Sequence, residues 1–120
     1  MLIENQVCSL SLSKQLKLAG YPQEGMWKWA KYSLEDAPEH WELELCSSGL
    51  MTVDCIAPTV AELGERLPIN YCSLSSNDVG WSCGIADELK SGQFIPIQHD
   101  KFEANARAKA WLYLKKEGKL

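Results

Sequence analysis

The sequence predicts an α+β fold: an antiparallel sheet of about three to five short strands packed on N-terminal, central and C-terminal helices. Three observations carry that prediction. Thr59 and Glu62 form a capping-box pair ahead of the apolar-periodic run VAELGERL, because the Thr hydroxyl accepts from the backbone three residues on while the Glu carboxylate reaches back to the Thr N–H. Asp100 and Glu103 repeat that spacing ahead of ANARAKAWLYLKKEG. Before both, HWELELC alternates polar and apolar residues with the period of a half-buried strand.

In chain order, the first element is a helix over 9–19, with Leu12, Leu16 and Ala19 on one face and Gly20 ending it. Tyr21-Pro22 turns the chain. Residues 23–32 read as a weaker helical piece with Pro22 suited to its first turn. Trp27 and Trp29, two apart, lie on different helix faces but on one strand face, so a strand is the alternative there. Residues 33–39 are turn-prone. In 40–46, Trp41, Leu43 and Leu45 occupy one face, and Glu42 and Glu44 the other.

Ser47-Ser48-Gly49 makes a turn, after which LMTVDCIA is expected to return as the antiparallel partner of HWELELC. The central helix over 60–67 presents Val60, Leu63 and Leu67 and stops at Pro68. SLSSNDVG is a turn cluster. WSCGIA and QFIPIQ are strand candidates joined across Lys90-Ser91-Gly92, and Pro96 marks the second as an edge strand. The last helix, about 101–117, offers Ala104, Ala108, Trp111, Leu112 and the stem of Lys115 as its stripe, with Gly118 as a left-handed cap.

At 120 residues the chain is expected to form one domain over 1–120, large enough to bury a core without staples. Hydrophobic residues at 46% and charged residues at 23% set it apart from disordered chains. The net charge of −4 and the absence of any basic run longer than Lys115-Lys116 argue against a protein that grips nucleic acid through its overall field. No apolar stretch reaches the length of a membrane span, and MLIENQVCSLSLS lacks the basic and apolar regions of a secretory leader. Cys8, Cys46, Cys55, Cys72 and Cys83 are an odd, irregularly spaced set without a C-x-x-C pair, which fits reduced thiols in a cytoplasm.

Candidate chemistry is sparse. The four later cysteines, with His40 and His99, lack the paired spacing of a structural zinc site and read as small buried hydrophobes. A Cys83–His99 nucleophilic pair would need an orienting third group that the sequence does not supply. Of the pairs Glu62 and Glu65 on one helix and Glu42 and Glu44 on one strand face, Glu62 is engaged by its cap and Glu42 and Glu44 face solvent, so neither pair reads as an acid–base couple. LSKQLKLAGYPQEGMWKW and TVAELGERLPINY each open like a helix-turn-helix and then fail to supply its turn and recognition helix. No glycine-rich phosphate loop occurs. The chain is therefore expected not to be an enzyme and to carry no cofactor and no metal.

Tyr21, Trp27, Trp29, Tyr32 and Trp41 fall close together in sequence, either as core or as an aromatic surface for a protein partner. On the C-terminal helix, Arg107, Lys109 and Lys116 read first as a solvated face and alternatively as a phosphate-binding strip for nucleic acid.

The blocks CSLSLSKQLKLAGYPQEG, IAPTVAELGERLP and FEANARAKAWLYLKKEGKL resemble, in that order, a family of short uncharacterised proteins encoded by bacteriophages and prophages. The chain departs from the family pattern at Phe102, where Thr is common, and at Lys115, where the family is apolar. The resemblance implies a phage or prophage origin and a place in the bacterial host cytoplasm. It brings no activity, cofactor or catalytic residue. The resulting expectation is a small non-catalytic protein-interaction module, with a nucleic-acid accessory protein as the alternative.

Overall fold

In the computed structural model, Ser9 opens α1 (Leu10–Leu18) by accepting a hydrogen bond from the Leu12 N–H at 3.3 Å. The structure describes residues 2–34, 37–76, 80–87 and 93–120. Gly20, at φ 92°, closes the helix in the left-handed region, where its N–H bonds Lys17 O and that of Tyr21 bonds Leu16 O. The chain continues through β1 (Trp27–Leu34), β2 (Ala37–Leu45), β3 (Cys55–Ile56), α2 (Val60–Arg66), β4 (Tyr71–Ser76), β5 (Gly80–Asp87), β6 (Gln93–Asp100) and α3 (Glu103–Lys116). The fold is α+β, as the sequence predicts. Among the described residues the strands divide into two three-stranded antiparallel sheets, ordered β2-β1-β3 and β4-β5-β6.

Several expectations are corrected. Residues 27–34 form a strand and not a helix, because Trp27 and Trp29 need one common face. The expected pairing of 40–46 with LMTVDCIA does not form. β1 lies between them, matching Trp27 with Leu45 on one side and Lys28 with Ile56 on the other. The connection over 46–54 bends back because buried Asp54 reaches Lys28. Part of the expected turn cluster is β4, whose uncharged backbone pairs with β5 from Tyr71 to Ser76. The proposed turn at Lys90-Ser91-Gly92 lies outside the described residues. Pro96 does stand on an edge strand, β6.

The capping box of α2 is complete: Thr59 Oγ1 accepts from Glu62 N–H at 3.2 Å, and Glu62 Oε1 accepts from Thr59 N–H at 3.0 Å. The box expected at Asp100 is absent. Asp100 is held in β6 opposite Trp81, the helix starts after Phe102, and Asp100 Oδ1 accepts from Phe102 N–H and Asn105 Nδ2. Glu103 pairs with Arg107 at 3.3 Å instead.

Around α3 the core gathers Cys8, Leu12, Leu16, Tyr21, Leu63, Leu67 and Cys83. Ala104, Ala108 and Ala110 let neighbouring elements approach closely, and Trp111 meets Tyr21 edge to face at 5.1 Å between ring centroids. The expected stripe is corrected at its end, where Leu114 is buried while Leu112 is half-buried and Lys115 is exposed. The molecule measures 58 × 31 × 23 Å. Because β3 pairs only with Lys28 and Trp29, β1 and β2 continue past it as a two-stranded arm. No helix among the described residues is long and apolar enough to cross a membrane.

Candidate protein interface

Strand register separates the aromatic residues that the sequence groups. Trp27, Trp29 and Lys31 stand opposite Leu45, Leu43 and Trp41 on one face of the β1–β2 ladder. Lys28, Ala30 and Tyr32 stand opposite Glu44, Glu42 and His40 on the other. Tyr32 donates to Glu44 and stacks on His40, and the bond to Glu44 pushes its pKa up to about 12. Tyr21 is buried against Trp111. The Trp29 indole donates to Cys8 O at 2.9 Å, which ties β1 to the segment ahead of α1.

Trp41 remains half-open. The Lys14 ammonium lies 4.7 Å from its ring centroid and that of Lys31 6.0 Å, both within range of a cation–π attraction. Beside it runs a groove of about 330 Å³ lined by Lys14, Lys17, Leu18, Trp41, Val53 and Cys55. Leu18 is 89% exposed and Val53 54% exposed, so two aliphatic side chains stand in solvent around one indole. Lys17 secures one wall: its ammonium donates to Asp54 O at 2.6 Å and to Thr52 O. Lys14 makes no ion pair among the described residues. The groove is thus apolar with a cationic rim. Leu18, Val53 and Lys14 escape sequence reasoning, because only the fold brings α1 and the 46–54 connection to Trp41.

Of the basic residues Arg107, Lys109 and Lys116 of α3, Arg107 stands apart from the other two. Arg107 spans three elements, donating from Nε to Ser73 Oγ at 2.7 Å and from Nη1 to Val60 O at 3.2 Å, and pairing with Glu103. Lys109 bonds His99 O at 3.0 Å and Asp100 Oδ2 at 2.9 Å. Lys116 is exposed and lines, together with Lys109, a groove shared with Leu12, Gln15 and Tyr113.

Cys83 is fully buried opposite Gln98, and burial pushes its thiol up to about 11. His99 bonds Ser82 instead, with Ser82 Oγ 2.7 Å from Nδ1, a contact that the sequence does not suggest. The Cys83–His99 pair therefore does not form. Among the described residues no three His, Cys, Asp or Glu side chains converge as a metal site. The two helix-turn-helix look-alikes run from α1 into β1 and from α2 into β4, without a recognition helix. Compared with known proteins, the chain matches no family model, no curated protein and no solved structure.

Proposed function

We propose that this chain is a small non-catalytic protein-interaction module of phage or prophage origin, and that it seats an acidic, apolar segment of a partner protein in the groove beside Trp41. The observation that carries the reading is the exposure of Leu18 and Val53 around a half-open indole whose visible neighbours include a lysine without an ion pair. Clustered exposed apolar side chains with a polar rim are the composition of a binding patch. A partner's aliphatic or aromatic side chain fits the floor, and a carboxylate beside it draws Lys14 off the ring. The internal partners of Arg107 and Lys109 favour this reading over nucleic-acid binding. A place in the host cytoplasm belongs to the same reading and is supported by the odd, irregularly spaced set of cysteines.

The test is a fluorescence-polarisation panel of labelled short peptides, apolar with acidic flanks and apolar with basic flanks, together with duplex DNA at low salt. Acidic peptides should bind the parent and lose binding to Leu18→Glu, whose melting temperature should match the parent because Leu18 is exposed. Binding of DNA in preference to every peptide, or equal binding by Leu18→Glu, would overturn the proposal.

A further inference from the structure

Among the described residues, each sheet edge is blocked except one. β2 presents Pro38, Glu39, Glu42 and Glu44, so pairing with its own copy sets like charges together. β3 is two residues long, and its Ile56 N–H already donates to Gln23 at 3.0 Å. β6 lacks a donor at Pro96 and is bulged where it passes Cys83 and Gly84. β4 differs from all three. From Leu67 through Ser76 the chain carries no charge and no proline beyond Pro68, which precedes the strand.

The backbone of β4 is also aimed for pairing. Ala86 N–H bonds Asn70 O at 2.9 Å, which fixes the alternation along the ladder. Asn70, Cys72 and Leu74 turn their backbone groups toward β5, and Tyr71, Ser73 and Ser75 turn theirs away. Tyr71 N–H is used locally by Pro68 O. Among the described residues, the outward N–H and C=O groups of Ser73 and Ser75 have no protein partner. Leu74, 50% exposed on the face away from α3, lies beside this edge.

We propose that β4 pairs antiparallel with β4 of a second copy across a two-fold axis, joining two three-stranded sheets into one of six strands. Self-pairing is the one case in which every edge residue meets a residue of its own strand, so it selects the edge without charge. Ser73 and Ser75 supply the bonds, and Leu74 packs against Cys72 or Leu74 of the second copy on the open face. Arg107 holds the Ser73 hydroxyl on the covered face and keeps that side chain clear of the pairing edge.

Sedimentation velocity over a wide concentration range tests this. The parent should move from monomer to dimer as concentration rises, while Ser75→Pro, which deletes an outward donor and no internal one, should stay monomeric with an unchanged circular dichroism spectrum. Leu74→Asp, at an exposed position, should also stay monomeric and serves if the proline variant fails to fold. Amide exchange of the parent gives an independent reading, with Ser73 and Ser75 slowing as concentration rises. A parent that is monomeric throughout, a dimer that persists in either folded variant, or concentration-independent exchange at both serines would overturn the proposal.

Discussion

Lys28 and Asp54 form an ion pair sealed inside the protein: Nζ lies 3.1 Å from Oδ2, and the side chains are 6% and 3% exposed. Lys28 also donates to Gly49 O at 2.8 Å, and Asp54 accepts from Met51 N–H at 3.0 Å. The pair pins the 46–54 connection to β1 and so sets Val53 beside Trp41.

Asp54→Asn leaves the buried Lys28 ammonium without a counter-ion, so it is expected to destabilise the fold by about 3 kcal/mol at neutral pH. Burial raises the Asp54 pKa, but the bonds from Met51 and Lys28 outweigh it, and the carboxyl titrates below its ordinary value. With the folded value the lower one, the unfolded chain takes up the extra proton. The stabilisation is full above the unfolded pKa of about 3.9 and is lost as pH falls through the folded value. Urea denaturation of parent and variant should show a gap that narrows in acid. A gap constant from neutral pH down through the carboxylate range contradicts this.

Trp111 and Asp100 should differ in cost. Trp111→Ala empties the space against Tyr21 in the core and is expected to lose about 3 to 5 kcal/mol. Asp100→Ala removes an acceptor for Phe102, Asn105 and Lys109 at a partly open site, for about 1 to 3 kcal/mol. Chemical denaturation orders the two, and equal losses would mean that α3 is held by its start and not by its stripe.

Two glycines separate backbone conformation from crowding. At Gly20 a methyl meets nothing within 4 Å, so Gly20→Ala carries only the left-handed penalty of about 1 to 2 kcal/mol. At Gly84 a Cβ would lie 2.1 Å from Ile95 O and 2.8 Å from Pro96 Cα, both backbone atoms of β6. Gly84→Ala must therefore push β5 and β6 apart at the bulge and should cost more than about 3 kcal/mol. Denaturation midpoints decide it, and a Gly84→Ala variant as stable as Gly20→Ala counts against this strand register.

Thiol labelling should split the cysteines. Cys8, Cys55 and Cys83 are buried, and desolvation raises all three pKa values, so they should label only on unfolding. Cys46 and Cys72 are partly open and should react in the native state. Mass spectrometry after a brief native exposure to iodoacetamide locates the modified residues. Fast labelling of Cys83 would contradict its burial beneath α3.

What was legible in the sequence was local. Thr59 and Glu62 meet their cap partners within one helical turn, Gly20 and Gly118 close helices through short bonds, and the alternation of Trp41, Leu43 and Leu45 needs only one strand. What was hidden depends on distant residues. Lys28 looks like a solvent-facing lysine until Asp54 is folded over it, and β4 looks like a turn because its serines gain their strand only by pairing with β5. Asp100 carries the signature of a cap but is claimed by β6. The candidate interface was legible at Trp41 alone, since Leu18 and Val53 reach it from two other parts of the chain.

The role of the Trp41 groove is tested most directly by a reciprocal charge swap read by titration calorimetry. An acidic, apolar peptide should bind the parent, and Lys14→Glu should weaken it by about tenfold or more. Replacing the peptide's carboxylate by lysine should reverse the preference, so that Lys14→Glu binds the swapped peptide better than the parent does. Equal affinity of both peptides for both proteins would contradict an acidic partner seated beside Trp41.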